Sequence, residues 1–224
     1  MPRGRNESEN DESAIIATIV TRRILISVAV LSLAGRWVAA IFAQQPPPAP
    51  IVQPFNDGND WVVVRPFTYT IGQTTYRITV PAGFVTDFAS IPAPMRGFLS
   101  PTGQEGRAAI IHDYLYWNQP CTREQADWVL RLGMIESRVP LVTRQAVYWA
   151  VRAMGDSAWQ QNALERRNGL PRIVPETEIP TIPALAIWSD YRQQLAQRGI
   201  RPEPQESMPP TYCAAAMTIV VNDR

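Results

Sequence analysis

The hydrophobic pattern changes character several times along the chain. Residues 1–23 are polar, with acids at Glu7, Glu9, Asp11 and Glu12 and a basic pair at Arg22-Arg23. From Ile24 to Ala43 there follow 20 apolar or small residues, interrupted by Arg36. A helix needs about 20 such residues to cross a bilayer, so the stretch predicts a hydrophobic signal or anchor helix. As an export signal, Thr21-Arg22-Arg23-Ile24-Leu25 resembles a twin-arginine motif, and Val38-Ala39-Ala40 or Ile41-Phe42-Ala43 could precede a cleavage point. As an uncleaved anchor, the same segment keeps the arginine pair in the cytoplasm and the rest outside. Arg36 opposes insertion by about 2.5–3.5 kcal/mol, and a buried helix of a soluble domain is the third reading. Either membrane reading places the chain beyond or in the inner membrane, with the membrane or cell envelope as its partner.

Residues 44–56 read as a linker, because Gln44-Gln45-Pro46-Pro47-Pro48-Ala49-Pro50 favours extended polyproline II. The pattern then turns to strands. Trp61-Val62-Val63-Val64 is a β-branched run, and Thr75 to Val80 alternates at period two. Gly72-Gln73 supplies a turn back to Phe67-Thr68-Tyr69. From Arg107 the period becomes helical. Arg107 to Trp117 is apolar on nearly all sides, as a buried helix is. A second helix is predicted from Thr122, with Gln125 completing a capping box. A third runs from Leu141 to Met154, largely buried, with Arg144, Tyr148 and Arg152 as its polar stripe and Gly155 as its stop. Asp156 or Ser157 would cap a further segment ending at Asn168-Gly169. Residues 184–198 give a last helix, and Cys213 to Val221 a closing strand. Strands first and helices afterwards predict an α+β fold, a small antiparallel sheet followed by a bundle of three to five helices. Its globular core spans residues 57–170, and residues 171–224 form an extension with one helix packed on that core.

Composition adds exclusions. Lys+Arg 21 against Asp+Glu 20 leaves no global basic field for nucleic acid. Two cysteines, Cys121 and Cys213, and one histidine, His112, exclude a disulfide scaffold and a Cys/His zinc site. An oxidising compartment would let the two cysteines pair. Any histidine catalysis must use His112.

Two segments concentrate polar groups in apolar surroundings: Gly83-Phe84-Val85-Thr86-Asp87-Phe88-Ala89-Ser90-Ile91-Pro92, and Ala108 to Tyr116 with Ala126-Asp127 behind it. A carboxylate inside a buried helix is costly unless paired, so Asp113 requires a partner. Folding the chain about Asn118-Gln119-Pro120-Cys121 puts His112 and Asp127 roughly 11 Å from the turn on neighbouring helices, at 1.5 Å per residue. The two side chains can then meet. A carboxylate on one imidazole nitrogen orients the ring and frees the other nitrogen to activate water, while Tyr116, one turn beyond His112, can bond nearby groups. Asp113, helped by Asp87, could hold a hard cation such as Ca²⁺ that polarises a carbonyl or phosphoryl oxygen. The competing readings are structural: a core histidine, Asp127 in a surface pair with Arg123 or Arg131, Asp87 as a turn cap, and Tyr114, Tyr116, Trp117 and Trp128 as core packing.

The motif from Gly83 to Pro92, with Arg107-Ala108-Ala109, His112 to Tyr116 and Ala126-Asp127, resembles an uncharacterised domain family common in tailed phages and prophages, DUF1353, over about residues 60–155. That resemblance implies a phage or prophage context and no established activity. More distantly, His112-Asp113-x-x-Tyr116 followed by Ala126-Asp127 is similar to the signature of the phospholipase A2 superfamily. This likeness implies His112 as general base, Asp113 as calcium-binding acid, Tyr116 as structural tyrosine and Asp127 as the acid that orients the histidine. The expected glycine-rich calcium loop and the disulfide framework of the secreted enzymes are absent, and the interval from His112 to Asp127 is short. The expected function is therefore an exported or anchored hydrolase acting on an ester or phosphodiester bond of lipid or envelope material. The alternative is a non-enzymatic phage-related envelope or virion module in which the His/Asp cluster fixes the fold.

Overall fold

Alternating residues build two small antiparallel sheets. The computed structural model describes residues 48–88, 103–204 and 208–219. Its strands are β1 (Val52–Pro54), β2 (Trp61–Val63), β3 (Phe67–Thr70), β4 (Arg77–Val80) and β5 (Val85–Thr86). β3 and β4 form the hairpin expected from Gly72-Gln73, in the register Phe67↔Val80 and Tyr69↔Ile78. Those four side chains point inward, while Thr68 and Thr79 share a hydrogen bond of 2.9 Å on the outer face. The second sheet has the order β1-β2-β5. Its outer strands were not predicted. β1 lies inside the stretch 44–56, and β5 is a two-residue pairing whose Thr86 faces Trp61. Such short strands carry no period for a sequence to reveal.

The helices are α1 (Gly106–Asn118), α2 (Arg123–Glu136), α3 (Leu141–Arg167), α4 (Trp188–Gln197) and α5 (Thr211–Met217), with a 3₁₀ turn at Glu176–Thr181. The fold is thus α+β with small antiparallel sheets and several helices. None of the described helices is long and apolar enough to cross a membrane, and the segment 24–43 lies outside the described residues. α2 begins as predicted: the Gln125 backbone N–H donates to the Thr122 hydroxyl, and the Thr122 backbone N–H donates to Gln125 Oε1. Three expectations fail. Gly155 does not end the third helix, which runs 27 residues without a break. A glycine inside a helix costs only about 1 kcal/mol, less than the packing of the helix on its neighbours contributes. Nor is α3 largely buried: Val147 and Val151 face the core, but Val142 is 81% and Trp149 65% exposed. Finally, Cys213 to Val221 does not open as a strand, because α5 occupies Thr211–Met217. Its Ala214-Ala215-Ala216 run has the best helix propensity, and Cys213 and Ala216, three apart, are both buried on one face.

Three apolar clusters hold the chain together. One joins the β3–β4 hairpin to α1 and α2 through Ile78, Val80, Ile110, Leu115 and Val129. A second packs Phe55, Val62 and Val85 against Val174, Trp188, Tyr191 and Leu195, so the extension covers the β1-β2-β5 sheet. A third, with Ala109, Leu130, Val147 and Val151, locks α3 onto α1 and α2. Gly83, at φ 82°, sits where an added Cβ would lie 1.8 Å from the Val174 carbonyl oxygen, so this corner accepts no side chain. Cys121, at the α1–α2 turn, is bonded to Cys213 of α5 across 92 residues of sequence. The Trp128 indole N–H also donates to the Ala216 carbonyl at 2.9 Å.

Removing this cross-link by Cys121→Ser/Cys213→Ser should lower the free energy of unfolding by about 2–4 kcal/mol. Urea denaturation of wild type under oxidising and reducing conditions should bracket the variant, the reduced wild type coinciding with it. A second expectation concerns Glu136, whose Oε1 accepts the Gly72 amide at 2.9 Å and pins the hairpin turn to the end of α2. Burial raises its pKa from 4.5 to about 7, against the lowering effect of the neighbouring Tyr69 hydroxyl and the bond from the Gly72 amide. The folded state therefore binds the extra proton between pH 4.5 and 7, and stability falls as pH rises through that window. Glu136→Gln should abolish this fall. Urea midpoints of wild type and variant should coincide at the acid end of the window, where Glu136 is protonated, and diverge at the other, where wild type is the less stable.

Candidate active site

Because α1 is apolar on nearly all faces, it is enclosed by neighbours and must satisfy its polar side chains internally. His112 is 0% exposed and Asp113 1% exposed. The αα-hairpin brings His112 level with Asp127 of α2, and His112 Nε2 lies 2.8 Å from Asp127 Oδ1. The Tyr116 hydroxyl, one turn along α1, donates to the same oxygen at 2.7 Å. The other oxygen, Oδ2, receives Arg123 Nη1 at 3.3 Å and Arg152 Nη1 at 2.9 Å. Asp127 itself is 0% exposed. Four donors from three helices thus converge on one buried carboxylate. Of these, sequence reasoning had found His112 and Tyr116, and Arg123 as a surface pair. Arg152 was a member of the α3 polar stripe with no partner assigned. Arg131 does not pair with Asp127; its guanidinium lies 4.9 Å from the Trp128 ring centre and 5.1 Å from that of Tyr148.

The electrostatics follow from this geometry. Burial pushes the Asp127 carboxyl upward, but the bond and charge of His112 and the bonds from Tyr116 and Arg152 outweigh it, and the net pKa lies below the usual carboxylate value. The Tyr116 hydroxyl is raised by burial and then by the Asp127 charge, so it remains a donor. An ionised carboxylate accepts hydrogen bonds only. His112 Nε2 must therefore donate, and in the neutral ring the lone pair then sits on Nδ1. That Nδ1 is buried and has no hydrogen-bond partner among the described residues.

Gly155 is what admits Tyr116 to the site. A Cβ built there would lie 2.5 Å from the Tyr116 hydroxyl oxygen. The residue read as a helix stop is instead a gap in the wall of α3. Tyr116 also packs its ring 4.1 Å from that of His112 and 5.1 Å from that of Trp159. The aromatic residues are core, as expected: Tyr116 and Trp117 are at most 1% exposed, and Tyr114 stacks edgewise on Phe84.

Asp113 turns from Asp127 to the sheet. The Thr86 hydroxyl of β5 donates to Asp113 Oδ2 at 2.5 Å, and the Phe88 amide donates to that hydroxyl at 3.2 Å. Phe88 adopts φ 48°, an uncommon conformation for a residue with a side chain, so the chain bends sharply where the first motif leaves β5. Asp87 pairs with the Arg172 guanidinium at 3.2 Å. Arg172 also donates to the Val85 carbonyl at 2.9 Å and to Asn162 Oδ1 at 2.8 Å. Burial lowers the pKa of Arg172, yet Asp87 and Asp113 raise it further, for a net increase. No residue pattern in the sequence pointed to Arg172. Asp87 and Asp113 thus each have a protein partner and both act on Arg172, and among the described residues no group of three or more His, Cys, Asp or Glu is placed to hold a metal ion. The rest of the first motif, 89–92, lies outside the described residues.

No curated protein and no solved structure matches the chain. A known family matches the segment from β2 to the middle of α3, which carries His112, Asp113, Tyr116, Arg123 and Asp127 but neither Arg152 nor Arg172. Residues 61–151 match the family described as "Protein of unknown function (DUF1353)".

Proposed function

We propose that the domain is a hydrolase in which His112 is the general base and Asp127 the group that orients it. The observation that carries this reading is the asymmetry of the imidazole: Nε2 is held at 2.8 Å by Asp127, while Nδ1 is buried without a partner among the described residues. A buried polar atom left unpaired costs about 1–3 kcal/mol, and a histidine kept for structure alone gains nothing by carrying that penalty. An ester or phosphodiester substrate supplies a use for it. Nδ1 takes a proton from water as the oxygen attacks the carbonyl or phosphoryl centre, and returns it to the leaving alkoxide. Asp127 stabilises the imidazolium formed between the two steps. Tyr116, Arg123 and Arg152 keep Asp127 ionised and fixed. The disulfide between Cys121 and Cys213 supports an extracytoplasmic setting, in keeping with the apolar run Ile24–Ala43, so lipid or cell-envelope material is the substrate class. No step of this reading is assigned to a metal.

A second reading rests on one observation. The His112 ring is 0% exposed, so a substrate reaches Nδ1 only if the surroundings open. On this reading Asp127 and its four donors are a structural hub of a non-enzymatic phage-related envelope module. The measurement that separates the two is hydrolysis of phospholipid vesicles by wild type, His112→Ala and Asp127→Asn, each with and without chelator. The catalytic reading expects wild-type turnover to fall about 10²–10⁴-fold in His112→Ala. Equal turnover in all samples, or none in any, leaves the structural hub, which predicts only that both variants unfold at lower denaturant concentration. Gly155→Ala gives an independent check: displacing the Tyr116 hydroxyl should reduce turnover while leaving His112 and Asp127 in place. An active Gly155→Ala enzyme with wild-type turnover would show that Tyr116 has no part in positioning Asp127.

A further inference from the structure

Arginines gather where the end of α3 meets the extension. Arg166 stands in the last turn of α3, Arg172 follows the turn at Gly169, and Arg192 and Arg201 come from α4 and the residues after it. Trp117 of α1 is their shared neighbour. The guanidiniums of Arg166 and Arg192 lie 5.3 and 5.4 Å from its ring centre, and Arg172 and Arg201 line, with Trp117, a cavity of about 190 Å³. Ile173 and Ile200 give this cavity an apolar wall, and Glu203 is the acid in its lining. Gly169, at φ 73°, makes room for one of the arginines: an added Cβ there would lie 3.3 Å from Arg201 Cδ.

The protein leaves part of their donor capacity open. Each guanidinium has five N–H groups. Arg201 directs Nη1 to the Ala196 and Ile200 carbonyls, while its Nε and Nη2 bond no described residue. Arg166 reaches the Asn118 side-chain oxygen at 3.4 Å and the Glu203 carbonyl at 2.8 Å. Neither arginine bonds a carboxylate among the described residues. Arg172 and Arg192 do, Asp87 at 3.2 Å and Glu165 at 2.6 Å, yet Arg192 Nη2 is buried without a partner among the described residues. Four guanidiniums thus stand among three carboxylates, Asp87, Glu165 and Glu203. Asp60, a further acid acting on Arg172 and Arg192, is pushed up to about 7, chiefly by burial, and adds less than a full negative charge at neutral pH. Surplus guanidinium with open N–H groups beside an apolar wall suits an oxyanion. The planar fork matches phosphate geometry, and surroundings of low polarity strengthen the bond.

We propose that the cavity lined by Trp117, Arg172 and Arg201 binds the phosphate group of a phosphomonoester, with Arg201 as its principal donor. The ester is a free small molecule or the headgroup of a lipid; the phosphate chemistry is the same in both. The proposal does not rest on the hydrolytic reading, and neither His112 nor Asp127 takes part in it.

The test is isothermal titration calorimetry of the full chain in a nonionic detergent at fixed ionic strength. Inorganic phosphate, glycerol 3-phosphate and phosphatidic acid in mixed micelles are titrated in turn. The expected result is saturable binding of at least one of the three, at one site per chain. Binding should weaken roughly tenfold or more in Arg201→Gln, which removes a charge-assisted hydrogen bond. It should stay unchanged in Arg167→Gln, which removes an equal charge from an exposed position next to Arg166. Both substituted residues are exposed, outside the core. Binding of phosphate or glycerol 3-phosphate supports the site and names a soluble ester as its ligand; binding of phosphatidic acid alone supports it and names a lipid headgroup. No saturable binding of any of the three overturns the proposal. So does binding that Arg201→Gln leaves intact, which places the ligand elsewhere, or an equal loss in Arg167→Gln, which assigns the effect to diffuse charge.

Discussion

One negative charge placed out of reach of water organises this domain. Asp127 is fully buried, and an unpaired carboxylate there would be costly enough to protonate or to unfold its surroundings. The protein meets that cost with four donors: His112 and Tyr116 from α1, Arg123 from its own helix and Arg152 from α3. Each donor comes with the helix that bears it. The geometry of the three-helix crossing is thereby tied to a single side chain, and the chemistry of His112 is a by-product of the same constraint, since a ring held at one nitrogen presents the other.

Around this centre the packing is permissive in one place and rigid in another. Gly155 is the permissive place, where the missing side chain of α3 admits the Tyr116 hydroxyl. The rigid place is the opposite end of the α1–α2 hairpin, where Cys121 is joined to Cys213 and Gln119 reaches the Trp159 carbonyl at 2.7 Å. The hairpin is clamped at its turn by the disulfide and at its middle by the bonds to Asp127.

Much of this arrangement could be read from residue order. The capping box at Thr122, the buried period of α1 and the distance of His112 and Asp127 from their shared turn are local regularities, and local regularities are what a single sequence records. The pairing of Asp127 with Arg152 is not local. It depends on how α3 lies across α2, which no spacing along the chain encodes. For the same reason the apolar residues of α3 suggest a buried helix, although its neighbours cover only the Val147 and Val151 side. Gly155 was misjudged because a glycine in a helix looks like a stop unless the side chain approaching it is known. β1 and β5 are too short to show a period, and the tail helix α5 was hidden by the β-branched residues that follow it. The partners of Asp87 and Asp113, Arg172 and Thr86, are equally non-local.

The length of α3 has a mechanical consequence. At 27 residues it is a rod about 40 Å long, and along one side it touches Asp127 through Arg152, Tyr116 at Gly155, Gln119 at Trp159, Arg172 through Asn162 and Asn118 through Arg166. Asp127 and Arg172, which serve the two halves of the motif, are thus gripped by one stiff lever. A force on its outer side that rolled the rod by a few degrees would shift both grips in the same stroke, so that Asp127 with His112 and the strand leading to Asp87 would move in concert.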